Sequence, residues 1–400
     1  MTESSDHFER EFAPHSRHKH LIFKNYLESW LRKLSLGARG QDRLFIVDAC
    51  AGTGSDAVGN PGSPLIAAYA ARDAIEQLRR EFGREVQTEV IAIEKDRHHL
   101  AKLKRALSDF PNARALDGTL EEHLSAIEGE IGDAPALYFI DPFGISPLSA
   151  NLILSVLSRP RHEVFLLFAD QAALRHFGAV QAGESKATRR LRQFERRAQP
   201  FFPGLEEAAR APLAAKAERG ERALDTTKQS AIRILDAAFG GNSWLPRVNA
   251  VPPSERRRVF LELYRELLRE QAKWVLEIPM LNEEGGRVYS LLHATRNASG
   301  FTTMKEAVAY ALRHSPHPPD VVTGLMSALT IDLDPVVALV LGRFGGQTVP
   351  WADSASEDNA QSVKRTVLES TQVHHFQLEE LKARLTQYRL PGRAIKYAFP

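Results

Sequence analysis

Residues 44–54 read LFIVDACAGTG, and this stretch decides the fold class. Residues 44–49 are an apolar run of the kind that forms a strand buried on both faces of a parallel sheet. Asp48 and a turn containing Gly52 and Gly54 end the run. Because glycine adopts backbone conformations that other residues avoid, this turn lets the main chain approach a ligand closely. The stretch therefore predicts the first strand of an α/β nucleotide-binding sheet.

Strand and helix patterns alternate on both sides of this stretch. Residues 20–36 carry apolar side chains at helical spacing, and further amphipathic segments separate the later apolar runs. Such alternation predicts a parallel sheet with helices on both faces. The five predicted strands are residues 44–49, 89–94, 113–117, 136–140 and 163–169.

The pattern changes after residue 170. Residues 171–270 show helical patterns only, and two apolar runs, 273–281 and 287–295, then flank the glycine-containing turn NEEGG. Five β/α units closed by such a hairpin are the layout of the Rossmann-like sheet of class I methyltransferases. We therefore predict that α/β sheet over residues 1–170 and 271–299, with 171–270 as a helical insertion.

Residues 300–400 are predicted to form a winged-helix-like C-terminal domain. They contain several helical patterns, of which 376–388 is the clearest, and a proline-rich break, SPHPPD, at 315–320. The chain then ends in a turn and a short basic strand, RLPGRAIKYAFP. A group of helices followed by a basic wing is the arrangement on which this prediction depends.

The composition is that of an ordinary soluble chain. Hydrophobic residues make up 43% and charged residues 26% of the 400, which excludes a largely disordered protein. No uncharged apolar run approaches the ~18–20 residues that span a bilayer, and the charged start, MTESSDHFEREF, lacks the apolar core of a secretory signal. The single cysteine, Cys50, excludes an internal disulfide framework. We therefore expect a cytoplasmic protein without a membrane segment.

Positive charge is concentrated in the predicted insertion. The whole chain has a net charge of only +2, but residues 171–233 hold 13 Lys and Arg against 7 Asp and Glu. Within them, residues 186–197 carry six positive side chains and one glutamate. Two interpretations remain open with equal weight: a solvated helix face, or a surface that contacts the phosphates of a nucleic acid.

The glycine turn predicts a nucleotide-type cofactor without a pyrophosphate. Residues 52–57 match the dinucleotide fingerprint G-x-G-x-x-A, but that fingerprint needs a helix starting within the glycines. Here residues 58–63, VGNPGS, interrupt the chain, and Ser63 and Pro64 predict a helix start only there. S-adenosylmethionine is the ligand that suits this pattern. The residues expected to shape its methionine pocket are Asp48, Ala49, Gly52 and Gly54.

Two further strand ends carry carboxylates suited to the rest of that cofactor. Glu94 closes the second strand, where a carboxylate accepts hydrogen bonds from both ribose hydroxyls. The alternative is a solvent-facing glutamate, or one paired with Lys95. Asp117 follows the third strand, where an adenine contact is expected, although an ordinary Asp-Gly turn explains it nearly as well.

Asp141, Pro142 and Phe143 follow the fourth strand and predict the acceptor site. Methylating an exocyclic amine requires acceptors for its hydrogens, so that the nitrogen lone pair faces the methyl group. The Asp141 carboxylate and the Pro142 carbonyl offer two acceptors, and proline fixes its own φ. Phe143 is positioned in the sequence to stack on an extruded base. The alternative is a strand-capping turn followed by a core phenylalanine.

The sequence does not predict a metal site. His15, His18 and His20 have a suggestive spacing but no accompanying carboxylate or cysteine pattern. Asp48, Asp117 and Asp141 lie on neighbouring strand ends, and together they leave open a metal-dependent nuclease of a phage-conflict system. That hypothesis ranks below the others, because acidic residues at strand ends are expected in this fold anyway.

Four stretches of the chain resemble the three-Cys-motif partner family of bacterial and phage proteins. They are residues 15–31 (HSRHKHLIFKNYLESWL), 45–67 (FIVDACAGTGSDAVGNPGSPLIA), 138–144 (YFIDPFG) and 289–305 (YSLLHATRNASGFTTMK). The resemblance implies a methyltransferase-like Rossmann domain with a winged-helix-type C-terminal region. It also implies a separate partner protein, similar to a radical-SAM enzyme, that carries the three cysteines of the motif.

A narrower resemblance links residues 141–147, DPFGISP, to the Asp-Pro-Phe-Gly-Ser-Pro site of tRNA N2-guanine methyltransferases. The chain has one residue more than that site, and it departs from the Asp-Pro-Pro-Tyr pattern of adenine and cytosine amino-methyltransferases at Phe143 and Gly144. The leading hypothesis is thus an S-adenosylmethionine-dependent methyltransferase-like protein acting on a nucleic-acid base. The alternative is a non-catalytic protein that binds nucleic acid or substrate for the radical-SAM-like partner.

Overall fold

Seven strands form one sheet among the residues that the computed structural model describes, which are 10–37, 40–198, 205–344 and 362–387. Five of the strands come early in the chain and two form the later hairpin. The strands are β1 (Arg43–Asp48), β2 (Gln87–Glu94), β3 (Ala113–Asp117), β4 (Ala136–Ile140), β5 (His162–Phe168), β6 (Trp274–Leu281) and β7 (Arg287–Thr295).

The order of the strands across the sheet is β3-β2-β1-β4-β5-β7-β6. β1 pairs in parallel with β2 and β4, β2 pairs in parallel with β3, and β4 with β5. β6 and β7 pair antiparallel across the predicted turn. The predicted α/β sheet is therefore confirmed, and residues 113–117, 136–140 and 287–295 are strands at the expected bounds.

Helices separate most of the strands along the chain, and the described part of the segment between β5 and β6 contains helices joined by turns and no strand. The helices before that segment are α1 (Pro14–Leu36), α2 (Ser63–Phe82), α3 (Arg97–Ala106), α4 (Leu120–Ile131) and α5 (Ala150–Ser158). Those within it are α6 (Asp170–Gln181), α7 (Lys186–Ala198), α8 (Leu205–Phe239), α9 (Trp244–Asn249) and α10 (Arg256–Arg269). After β7 come α11 (Ala298–Arg313), α12 (Pro319–Leu329), α13 (Asp334–Phe344), α14 (Val363–Ser370), the 3-10 turn His375–Gln377 and α15 (Leu378–Gln387).

Proline explains the places where helix boundaries differ from the predictions. α12 begins at Pro319 inside the expected break, and α9 holds Pro246 in its first turn. Proline needs no backbone N–H in the first turn of a helix, so the same residue that breaks a helix interior also starts one. At α2 the N-cap is Gly62, one residue before the predicted Ser63.

The chain divides into two compact units. The first comprises residues 1–142, 154–167 and 268–400, and it includes most of the sheet. The second comprises residues 143–153 and 168–267, and it corresponds broadly to the predicted insertion. The predicted division at residue 300 and the winged-helix domain stay predictions, because the expected basic wing at 389–400 lies outside the described residues.

Helix α1 is fixed to the sheet by a buried polar network inside the first unit. The hydroxyl of Tyr26 donates to the carboxylate of Glu163 on β5, and the indole N–H of Trp30 donates to the same carboxylate at 3.3 Å. Nε2 of His293 on β7 lies 3.0 Å from Glu163 Oε2. Since buried polar groups are costly to leave unpaired, this network determines where α1 lies.

No single helix among the described residues is long and apolar enough to cross a membrane. α12 and α13, bent by 48° at a short break, pass that test of length and composition only as a pair.

Lys305 on α11 is a buried cation held by backbone carbonyls. Its Nζ donates to the Leu368 carbonyl at 2.7 Å and to the carbonyl of Thr371, at the C-terminal end of α14. The ammonium also lies 4.2 Å from the centre of the Phe301 ring. Burial lowers the pKa of Lys305 from its usual 10.5 to about 7. The folded protein therefore binds this proton less tightly than the unfolded chain.

Replacing Lys305 by methionine should flatten the dependence of stability on pH. Between pH 7 and the unfolded pKa near 10.4, the unfolded chain carries more protons at this position, so stability rises with pH in the wild type. With the folded pKa at about 7, the rise from pH 7 to pH 9 is on the order of 2 kcal/mol. Urea unfolding at pH 7 and at pH 9 measures this rise in the free energy of unfolding. The exposed Lys102→Met is the control, and an equal pH slope in wild type and Lys305→Met would contradict the assignment.

Candidate functional site

The carboxyl end of β1 places Asp48 in the interior, with none of its surface exposed. Its Oδ1 accepts the Cys50 amide at 3.2 Å, and its Oδ2 makes no hydrogen bond of standard geometry with the described residues. Burial raises the pKa of Asp48 to about 7, against the opposing effects of the Ser63 hydroxyl and the Cys50 amide. The carboxylate of Asp141 raises this pKa further and the ammonium of Lys19 lowers it.

The turn after β1 is a closed loop in which the glycines are required. Gly52 and Gly54 have φ values of 62° and 89°, and a Cβ on Gly54 would lie 3.0 Å from the Cβ of Ala106. The Gly62 amide donates to the Gly54 carbonyl at 2.8 Å, which closes the loop before α2 begins. α2 therefore starts well beyond the glycines, as expected for a site that does not bind a pyrophosphate.

Asp56, which the sequence analysis did not single out, holds the middle of this loop. Its carboxylate accepts the amides of Phe12 at 2.9 Å, Val58 at 3.1 Å and Asn60 at 2.8 Å. Hydrogen bonds from these backbone groups keep the pKa of Asp56 below its usual value despite the opposing effect of desolvation, which is the largest single cause. Asp, Gly and Asn are all common in turns, and residues 56–60 read DAVGN, so the sequence alone did not distinguish Asp56.

Glu94 at the end of β2 binds the glycine turn directly. Its Oε2 accepts the Gly52 amide and its Oε1 accepts the Asp96 amide, both at 2.8 Å. The side chain is buried, so the alternative of a solvent-facing glutamate is wrong. Each carboxylate oxygen has a second lone pair, and the predicted ribose contact stays a prediction.

Asp117 is paired in register with Glu94 but has a different environment. Its side chain is exposed, and its carboxylate lies 3.9 Å from the guanidinium of Arg97. Its carbonyl oxygen lies 2.8 Å from a ring nitrogen of His123. Asp117 therefore lies at the expected sheet edge, and its contact with an adenine stays a prediction.

Asp141, at the end of β4, forms an ion pair that the sequence did not predict. Nζ of Lys19 on α1 donates to Asp141 Oδ2, and the side chains of these residues are 6% and 21% exposed. The Lys19 ammonium also lies 6.0 Å from the centre of the Tyr289 ring on β7. Burial, followed by the charge of Asp141, raises the pKa of the Tyr289 hydroxyl. Lys19 and Tyr289 belong to the conspicuous stretches HSRHKH and YSLLHATR, but nothing in either stretch marks them as neighbours.

Cys50 shows that the three predicted parts of the site lie together. Burial is the main cause that raises the pKa of its thiol, and the carboxylates of Asp48, Asp141 and Glu94 add to it in that order. All three carboxylates therefore lie within electrostatic reach of one side chain. The thiol stays protonated at neutral pH, which fits a packing residue and not a nucleophile. The amide of the intervening Ala49 donates to the Phe139 carbonyl at 2.9 Å and so joins the ends of β1 and β4.

Pro142 is buried and is the last residue of the first segment of the first unit, whereas Phe143 is the first residue of the second unit. The Phe143 side chain is 62% exposed, so the alternative of a core phenylalanine is wrong. Stacking on a base stays a prediction.

The histidines of α1 contact three different neighbours. His15 packs edge-on against Tyr289, His18 lies 3.1 Å from the Ser315 hydroxyl, and His20 packs against Phe12. Within the described residues there is no group of three or more His, Cys, Asp or Glu side chains arranged to hold a metal ion. The metal-dependent nuclease stays a hypothesis from the sequence.

The strand order β3-β2-β1-β4-β5-β7-β6, with β7 antiparallel to β6, is typical of class I methyltransferases. The chain has this fold. The predicted Rossmann-like methyltransferase sheet is therefore confirmed at the level of the fold.

No protein-family model and no curated protein sequence matches the chain. Among solved structures, the cyclopropane synthase MmaA2 from Mycobacterium tuberculosis is 11% identical, with a TM-score of 0.21 and coverage of 67% of this chain and 81% of that one. PKMT2 from Rickettsia typhi, in complex with AdoHcy, is 9% identical, with a TM-score of 0.25 and coverage of 71% and 56%. A geranyl diphosphate methyltransferase, in complex with GPP and sinefungin, is 13% identical, with a TM-score of 0.22 and coverage of 68% and 77%. At such scores the fold assignment depends on the strand order itself.

Proposed function

We propose that the protein is an S-adenosylmethionine-dependent methyltransferase that acts on an exocyclic amine of a nucleic-acid base. The observation that carries this proposal is that Asp48, Glu94 and Asp141 end or follow three adjacent parallel strands, β1, β2 and β4, at the carboxyl edge of the sheet, where Glu94 also binds the Gly52 amide of the glycine turn. In open α/β sheets, ligands bind at that edge.

The residues of this edge fit the cofactor. The glycine turn lets the backbone approach a ligand closely, and Glu94 keeps a lone pair on each oxygen for ribose hydroxyls after binding the Gly52 and Asp96 amides. Oδ2 of Asp48 is a buried acceptor that makes no hydrogen bond of standard geometry with the described residues, although the nearby Ser63 hydroxyl lowers the pKa of this carboxylate. When bound, the cofactor supplies an electrophilic methyl group on a sulfonium.

The corner after β4 is suited to orient an amine toward that methyl group. The Asp141 carboxylate accepts hydrogen bonds from the N–H groups of the amine. The lone pair of the amine nitrogen then points away from Asp141 and toward the methyl group. The Pro142 carbonyl is a second acceptor in a backbone conformation that the proline ring restricts. Holding the amine and the methyl group in this geometry accelerates the reaction, because the two reactants no longer have to meet in the right orientation by chance. Phe143, two residues after Asp141, offers an exposed ring on which a base can stack.

Charge supports a polyanionic substrate. The second unit, residues 143–153 and 168–267, contains 18 Lys and Arg against 12 Asp and Glu, whereas the chain as a whole has a net charge of +2. On α7, Lys186, Arg189 and Arg190 are exposed, although Arg189 and its neighbour Arg192 also face Glu184. An excess of this size on one unit favours contact with phosphates.

The second candidate function is that of a non-catalytic partner, and the Lys19–Asp141 ion pair favours it. A carboxylate that already accepts an ammonium is less available to an amine substrate. On this hypothesis the chain belongs to the three-Cys-motif partner family and presents nucleic acid or another substrate to a radical-SAM-like enzyme. Asp141→Ala would then leave activity that depends on that enzyme intact.

Calorimetric titration of the purified protein with S-adenosylmethionine tests the proposal. Saturable binding with one site per chain is expected, and mass spectrometry of nucleosides from cells with and without the protein should then reveal a methylated base. Absence of binding, with or without the partner enzyme, would remove the methyltransferase function and leave the second candidate.

A further inference from the structure

Lys19 is a buried ammonium that pairs with one carboxylate and lies within electrostatic reach of a second. It donates to Asp141 Oδ2, and it also acts on Asp48, whose pKa it lowers. The network of Tyr26, Trp30 and Glu163 fixes the backbone of α1. Lys19 can therefore change its partner by moving its side chain, without a movement of the helix. A lysine side chain has a flexible stem and three rotatable donors, which allow it to change partners.

The neighbouring Asp48 lacks a partner for half of its carboxylate. Its Oδ2 is fully buried and makes no hydrogen bond of standard geometry with the described residues. A buried carboxylate oxygen without a hydrogen bond is stabilised by a ligand that is positively charged and carries N–H donors. The site thus offers one cationic side chain, Lys19, near a buried carboxyl group, Asp48, that a bound cation would hold in its ionised form.

A ligand that matches both charges must carry an anion and a cation close together. The α-amino acid end of an adenosyl cofactor has a carboxylate and an ammonium on the same carbon. We propose that Lys19 exchanges partners: it holds Asp141 in the ligand-free protein and the α-carboxylate of the cofactor in the complex, while Asp48 takes the α-ammonium. This inference depends on the proposed cofactor, and it adds a residue that selects the amino acid end.

The exchange orders the binding events. As long as Lys19 holds Asp141, one oxygen of that carboxylate is occupied and its charge is compensated. When Lys19 turns to the cofactor, both oxygens of Asp141 become available for an amine. The cofactor therefore binds before the acceptor, and the ion pair that favours a non-catalytic role is the resting state of an enzyme.

A comparison of two ligands isolates the role of Lys19. S-adenosylhomocysteine has the amino acid end, whereas 5′-methylthioadenosine lacks it but retains the adenosine and the sulfur. In Lys19→Met the affinity for S-adenosylhomocysteine should fall by about 10- to 100-fold, the effect of losing a hydrogen bond to a charged group, with the affinity for 5′-methylthioadenosine unchanged. Lys19→Arg should restore most of the loss. The exposed Lys24→Met, on the same helix, is the matched control.

Asp141→Asn tests the exchange itself. In the wild type, binding of the cofactor has to break the Lys19–Asp141 ion pair. Asp141→Asn removes that ion pair, so this variant should bind S-adenosylhomocysteine several-fold more tightly than the wild type does. The affinity for 5′-methylthioadenosine should again stay the same. Unchanged or weaker binding of S-adenosylhomocysteine by Asp141→Asn would show that Lys19 does not leave Asp141, and would overturn the inference.

Failure of the inference is distinct from failure of the proposed function. If the wild type binds both ligands and Lys19→Met weakens them equally or not at all, Lys19 does not select the amino acid end and the cofactor assignment stands. If the wild type binds neither ligand, both ideas are wrong. Thermal unfolding of each variant separates a lost contact from a lost fold.

Discussion

Replacing Glu94 by alanine is expected to abolish binding of S-adenosylhomocysteine. The carboxylate accepts the Gly52 amide with one oxygen and the Asp96 amide with the other, each at 2.8 Å. Alanine leaves both amides without their acceptor and also removes the acceptor proposed for the ribose hydroxyls. Hydrogen bonds to charged groups contribute about 1.5–3 kcal/mol each, so losing two to the ribose alone lowers the affinity by at least about 100-fold.

Calorimetry of the purified variant measures this effect. Glu121→Ala, which removes an exposed glutamate from α4, should bind like the wild type. Glu94→Gln separates the contribution of the hydrogen bond to the glycine turn from that of the negative charge. The glutamine amide keeps one acceptor oxygen for the glycine turn but carries no charge. We expect its affinity to lie between those of wild type and Glu94→Ala. An affinity of Glu94→Ala within threefold of wild type would exclude Glu94 from the cofactor site.

Asp141→Ala should retain the cofactor and lose methyl transfer. The side chain lies at the end of β4, and in the proposed mechanism it orients the acceptor amine. Removing a preorganised polar group of this kind typically costs about 10²–10³-fold in rate. The cofactor contacts proposed for Glu94 and the glycine turn do not involve Asp141, so S-adenosylhomocysteine should still bind, and the release of Lys19 should make its binding tighter.

Transfer of a radiolabelled methyl group to nucleic acid from cells that lack the protein measures the loss. Asp133→Ala, an exposed residue just before the opposite end of the same strand, is the control and should transfer normally. Wild-type rates in Asp141→Ala would place the acceptor site elsewhere, even if the cofactor assignment holds.

The sheet could be predicted because each strand is an apolar run with a clear end. β3, β4 and β7 have the expected bounds, and the glycine turn after β1 lies where the residue pattern placed it. Glu94 was found for the same reason, since a carboxylate after an apolar run is visible in the sequence. Its two bonds to backbone amides were not, because they depend on how the turn folds back over β2.

The partners of the site residues could not be predicted in this way. Lys19 and Asp141 are 122 positions apart, and a lysine on an amphipathic helix is most often a solvated one. The link between Tyr26 and Glu163 spans 137 positions and likewise has no local pattern. Such pairs form only when a helix packs against strands that are distant in the sequence, as α1 does on β4 and β5, and this packing is a property of the tertiary structure.

The anchoring of α1 has a consequence for protein engineering. Tyr26 and Trp30 on α1 donate hydrogen bonds to Glu163 on β5, and His293 on β7 lies within hydrogen-bond distance of the same carboxylate. Grafting α1 from a different protein onto this core would remove two donors from the buried Glu163 carboxylate and leave it His293 alone of this network. A chimera must therefore exchange the helix together with both strands, so that these three segments are inherited as one module.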